Sequence, residues 1–153
     1  MSKEHVLTRI EQEWKAFLDS FAGLTDNMLV ESGAVGHWSI RDVLAHIASW
    51  EEEALKVLPL ILEGKPIPRY TRYGGIDAFN AQEQERKRHL RLALVKDELI
   101  TTHQRLLKFL IETPDSMFSS KSRFAKRLRL DTYNHYREHA QQINKWQQLD
   151  LNL

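Results

Sequence analysis

Cysteine is absent from the 153 residues, glycine occurs only 6 times and proline 4 times. Without cysteine there is no disulfide, no thiolate nucleophile and no cysteine-ligated metal, a composition that fits a reducing compartment. So few glycines leave no Gly-rich phosphate loop. Neither a dinucleotide fingerprint nor GxSxG is present, which removes P-loop NTPases, Rossmann enzymes and α/β hydrolases. Long apolar runs are missing too: "VLPLIL" is far short of the ~20 residues that a membrane span requires. The N-terminal "MSKEHVLTRIEQEWKAFL" is broken by charge where a signal peptide needs an apolar core. Neither sign of charge is in excess, with 22 basic against 21 acidic residues and a net charge of +1. No global field therefore draws in nucleic acid. What remains is the expectation of a soluble, cytoplasmic domain with no membrane or nucleic-acid partner, a single unit over residues 1–153 with one sizeable core.

What is present is helical periodicity, with almost nothing that alternates like a strand. A first helix is predicted from Lys3 to Ala22, where Leu7, Ile10, Trp14, Phe17, Leu18 and Phe21 recur at threes and fours and Gly23 stops it. The second opens at "HWSIRDV", with Ser39 as cap, Asp42 at the capping-box position and Trp38 placed to staple onto Val43. It continues to Gly64, Pro59 thinning its last turns. A third is predicted from Asp77 to Glu112 and a fourth from Phe124 to Leu149. The segment "LTDNMLVESGAVG" holds a short helical turn of its own. Between helices two and three, "GKPIPRYTRYGG" is long for a tight antiparallel turn. The expected architecture is all-α, a four-helix bundle with a long crossover between helices 2 and 3.

The chemistry lies in "TYNHYREHAQQINKW". At 3.6 residues per turn, Thr132, His135, Tyr136, His139, Ile143 and Trp146 share one face of helix four. On helix two the same construction groups Val43, His46, Ile47, Trp50 and Ala54. Three histidines thus point inward from two helices. Neutral imidazoles are good ligands for divalent transition metals, and an i,i+4 pair projects two onto one ion. On the pattern alone, a metal site and a set of core histidines hydrogen-bonded to backbone or tyrosine both stand.

"GHWSIRDVLAHIASWEE" followed by "TYNHYREHAQQINKW" resembles the DinB-like superfamily, which includes YfiT-like metal-dependent hydrolases. "IDAFNAQEQERKRHLRLALVKDELITTHQRLL" is similar to its ClbS/DfsB branch. The resemblance covers nearly the whole chain, and it implies a four-helix bundle, commonly a homodimer, whose pattern is a tryptophan-led cap, a histidine one turn into helix two and an HxxxH pair in helix four, the histidines being the metal ligands. Carried over, those ligands are His46, His135 and His139. Zinc or nickel is the expected ion, with iron or manganese also compatible. The activities implied diverge: hydrolysis, thiol S-transfer, isomerisation and protection against reactive natural products.

Two functional expectations follow. One is a metal-dependent enzyme that activates water or a low-molecular-weight thiol for attack on a small electrophilic substrate, with Trp50, Ile143 and Trp146 as an apolar wall. Tyr136 beside the ligand face is then a candidate proton donor, and His103, between Leu99, Leu106 and Leu110 on helix three, a candidate general base. The alternative for His103 is a buried ring donating to a backbone carbonyl. The other expectation is a metal-free, ClbS-like protein that captures or detoxifies a reactive small molecule. Glu53 is the acidic residue nearest the His46 face. The cluster Lys121, Arg123, Lys126, Arg127 and Arg129 is either solvated surface or a clamp for substrate carboxylates. His5, His37 and His89 are expected on the surface.

Overall fold

The computed structural model describes residues 2–151, and among these residues there is no strand, only helices and turns. Helix α1 spans Lys3–Phe21, capped by the Ser2 side chain. The short α2, Asp26–Leu29, occupies the predicted extra turn and is capped by Thr25. α3 runs Ile40–Leu62, and its start is a full capping box: Ser39 accepts from the Asp42 amide while Asp42 accepts from the Ser39 amide. Pro59 lies within its last turn.

The two later helices differ from expectation. The segment predicted as one helix from Asp77 is two, α4 at Ile76–Lys87 and α5 at Leu92–Ile111. Its continuous form would be about 54 Å long, against about 35 Å for the 23-residue α3 it packs on. The break is held from outside. Arg41, at the start of α3, donates through its guanidinium to the carbonyls of Lys87, Arg88 and Leu90 at and just past the end of α4, the Lys87 carbonyl also accepting from the Leu90 amide. Lys87, itself buried, donates to Glu52 and the Ala45 carbonyl. The fourth predicted helix also divides, into α6 at Arg123–Asp131 and α7 at Tyr133–Leu151, with buried Thr132 at φ −123°, ψ −103° between them.

Side-chain contacts give the directions. Arg9 lies over Tyr133 and Gln147 donates to the Ser20 carbonyl, so α1 and α7 run parallel. Arg41 meets Leu90 and Glu51 meets His103, so α3 and α5 also run parallel. Lys3 reaches the carbonyls of Ile111 and Thr113, setting α1 antiparallel to α5. This is an up-down-down-up four-helix bundle, and the long connection from α3 through the 3₁₀ turn Tyr70–Tyr73 and α4 is the predicted crossover. Ile10, Phe17, Leu44, Ile47, Leu58, Leu99, Leu106 and Ile143 fill the core.

Candidate metal centre

His46 lies in the second turn of α3, and His135 and His139 in the first two turns of α7. The structure brings the three together: His135 Nε2 is 2.9 Å from His46 Nε2 and 3.1 Å from His139 Nε2. One nitrogen from each ring can meet at a single ion. Nitrogens about 2.0–2.1 Å from a common ion at angles of 90–110° stand about 2.8–3.4 Å apart, so both separations match an edge of a coordination polyhedron.

The protons support the same fit. The Nδ1–H of His139 donates to Gln142 Oε1 at 2.7 Å, which turns the Nε2 lone pair toward the other two rings. His135 Nδ1 is buried without a partner. With His139 donating through Nδ1, at most one of the two Nε2 contacts can be a linear hydrogen bond, from His46 or from His135, and the other sets two lone pairs face to face. A cation at the centre would use all three inward lone pairs, while His135 Nδ1 is without a partner in every case. Burial pushes all three imidazoles below their usual range, His46 to about 3, with the neighbouring rings adding to the effect at His46 and His135. Neutral rings are the form that binds metal. The donor set therefore fits a divalent transition ion, though it does not choose among zinc, nickel, iron and manganese.

A cavity of about 450 Å³ opens over the triad. Trp50 is on its wall as expected, joined by Trp38 and Tyr70. Ile143 and Trp146 are not. They sit farther along α7, Ile143 in the core and Trp146 packed against it, so the expected wall is corrected there. Of the basic cluster only Arg127 reaches the cavity. Its Nε donates to Asp131 Oδ2 at 2.6 Å and a terminal N–H to the Tyr70 hydroxyl at 2.6 Å. Tyr70 in turn donates to Glu53 at 3.1 Å, so Glu53 touches the wall through that ring. Burial raises the Asp131 carboxyl to about 6, with Arg127 opposing the shift. Asp131 Oδ1 makes no hydrogen bond among the described residues.

Tyr136 and His103 meet each other elsewhere. Neither lines this cavity; both close on Glu51 in the bundle core. The Tyr136 hydroxyl donates to Glu51 Oε1 and the His103 Nδ1–H to the same oxygen at 2.8 Å. Burial, with Glu51 beside it, pushes the Tyr136 phenol well up. Trp14 stacks on the His103 imidazole at 3.6 Å, 4° from parallel. The other edge of that ring borders a separate groove between α1 and α5. Their expected places beside the triad are thus replaced by a shared contact with Glu51: Tyr136 is one residue past His135, about 100° round α7 and so turned into the core, and His103 is on α5, no residue of which lines the cavity. His5, His37 and His89 are exposed.

Glu51, Asp131 and Gln142 were missing from the expected set. Glu51 follows Ile47 by four residues and Asp131 precedes His135 by four, both legible on a helical wheel. Gln142, three after His139, has the same excuse of lying on an otherwise polar face.

The fold is similar to solved structures of low sequence identity. An uncharacterised protein from Escherichia coli UTI89 superposes with a TM-score of 0.82 at 14% identity, over 97% of this chain and 94% of that one. The colibactin self-resistance protein ClbS, solved in complex with a double-stranded DNA, gives 0.80 at 14% identity over 95% of each chain. DfsB, described as a sibling lethal factor precursor, gives 0.80 at 15% identity, over 98% of this chain and 97% of that one. No curated protein matches the sequence. No helix among the described residues is long and apolar enough to cross a membrane. The DinB superfamily model matches residues 9–143, and the chain belongs to that superfamily.

Proposed function

We propose that the protein is a metal-dependent enzyme acting on a small electrophile, with the ion held by His46, His135 and His139. The observation that carries this reading is the convergence of three neutral rings on one point, through two Nε2 contacts of 2.9 and 3.1 Å of which at most one can be a linear hydrogen bond. When bound, such an ion supplies Lewis acidity that lets a water or thiol lose its proton near neutral pH. The chain supplies the rest. Gln142 holds the His139 ring in its ligating tautomer. Arg127, pinned by Asp131 and Tyr70, keeps N–H groups free to hold a carbonyl or carboxylate oxygen of the substrate. The free oxygen of Asp131, which lines the same cavity, is assigned the role of accepting the nucleophile's proton. Trp50 and Tyr70 keep bulk water from that side of the cavity.

Untagged protein analysed for bound metal tests the assignment. About one ion per chain is expected, lost in His139→Ala and His46→Ala while the helical content persists. Unchanged metal content in His139→Ala would sink the triad as the site. A homodimer, implied by the superfamily resemblance, is read by light scattering on the same samples.

A second reading has its own support: the shared fold with ClbS, a self-resistance protein, and a cavity large enough for a small molecule. On that reading the chain captures a reactive small molecule without metal. Ligand-induced stabilisation that is indifferent to chelator, in protein that refuses added zinc and nickel, would favour it over the enzyme.

A further inference from the structure

Two of the large apolar side chains left in water stand at the triad cavity. Ile76 opens α4 and is 55% exposed; Leu130, near the end of α6, is 63% exposed. Both line the same cavity as the histidines. Single exposed aliphatics need no explanation, but these two are continuous with an aromatic wall. Trp50 and Tyr70 lie behind them, ring centroids 5.3 Å apart.

The polar atoms of that wall are already committed. The Trp50 indole N–H donates to Asn80 Oδ1 at 2.8 Å. The Tyr70 hydroxyl donates to Glu53 and accepts from Arg127. Trp50 is 9% exposed and Tyr70 half-buried, so what these rings still offer an occupant is a limited margin of hydrocarbon that Ile76 and Leu130 extend. Arg127 lies over both, 5.7 and 5.5 Å from the ring centroids, and of its five N–H groups two are engaged. A hydrogen-bond donor thus stands on the apolar wall, in the same cavity as the three histidines.

We infer that the substrate is an electrophilic carbonyl compound bearing an aromatic or similarly flat hydrocarbon group, seated against Ile76, Leu130 and the Trp50–Tyr70 wall while its carbonyl oxygen meets Arg127. This rests on the metal-site reading only for the reacting end; the apolar seat is independent of the ion. A small hydrophilic electrophile would leave both aliphatic side chains in water and the wall unused. Covering a phenyl-sized area of apolar surface corresponds to roughly thirtyfold in affinity.

Hydroxamates test both ends at once, because their head chelates metal and their tail can be changed. Zinc-loaded protein should bind benzohydroxamate about thirtyfold more tightly than acetohydroxamate. Leu130→Ser and Ile76→Ser, both at exposed positions, should remove most of that preference at unchanged zinc content. Equal affinity for the two hydroxamates in zinc-loaded protein would overturn the inference and leave the metal site standing. If the protein holds none of zinc, nickel, iron and manganese, the metal reading fails, and benzamide against acetamide in chelator-treated protein decides the seat. Saturable benzamide binding weakened by Leu130→Ser sustains it; no preference for benzamide overturns it.

Discussion

His103→Leu is the most informative single perturbation of the core. Leucine nearly conserves the volume, so the change removes a hydrogen-bonding partner rather than opening a cavity. Glu51 is 0% exposed, with Oε2 already unpartnered, and His103 and Tyr136 are the two groups that hold its other oxygen. Whichever of the pair carries the proton, deleting the imidazole strands a carboxyl group in a medium that cannot solvate it. Breaking a buried pair from one side costs about 3–5 kcal/mol, whereas replacing both members by apolar groups of similar size is often close to neutral. His103→Leu should therefore cost about 3–5 kcal/mol, a fall in Tm of roughly 10 °C for a chain of this length. Adding Glu51→Leu should recover only part of it, because the buried Tyr136 hydroxyl then loses both its partners. Urea unfolding with chelator present, so that metal binding adds no linkage, measures both variants. A single variant within about 1 kcal/mol of the parent, or a double variant no better than the single, would refute the account of Glu51 as a carboxyl sustained by His103.

Other consequences are as direct. Asp131, raised to about 6 by burial from its ordinary 3.8, binds its proton more tightly folded than unfolded. Its contribution to stability is then present below about pH 4 and is lost as pH rises through 6, on the order of 3 kcal/mol in all. Asp131→Asn should flatten the stability profile in that window, and an unchanged slope there would contradict the assignment. Arg41→Met keeps the aliphatic stem but releases the carbonyls of Lys87, Arg88 and Leu90. It should cost about 3 kcal/mol and raise hydrogen exchange across residues 88–95, where the junction of α4 and α5 loses its brace.

How much of this was legible in the sequence depends on where each cause resides. The α3 start was readable because Ser39 and Asp42 act on their own backbone. The triad was readable because a helix wheel carries His46, His135 and His139 to inward faces without knowledge of neighbours. The break between α4 and α5 was not, since "RKRHLRL" contains neither glycine nor proline and its brace is Arg41, far upstream. Of the three glutamates after Trp50, Glu53 was singled out for its nearness to the His46 face, yet Glu51 is the one sealed in the core. Trp146 and Ile143 were assigned to the wrong place for the same reason that Tyr70, Ile76 and Asn80 were overlooked. The cavity is walled by the crossover, whose path follows from packing rather than from any periodic signal.

Arg127, Asp131, His135 and His139 follow one another at intervals of four, a single row on an unbroken helix. They are not on one helix: Thr132 turns the chain between α6 and α7, with its own amide still bonded to Leu128 and its carbonyl to Tyr136. The row survives the turn, since all four residues line the cavity. Its two halves differ in what they contribute. The α7 half offers neutral nitrogens that neither donate nor carry charge at neutral pH, the α6 half a cation and a carboxylate already bonded to each other. Because the Arg127–Asp131 pair compensates itself, it brings little net charge against an ion on the histidines while leaving an oxygen and free N–H groups open to the cavity. An uncompensated arginine at the same position would repel that ion, and an uncompensated aspartate would compete to ligate it. The pairing would therefore allow polar groups to stand beside the triad without changing which ions the three histidines could hold.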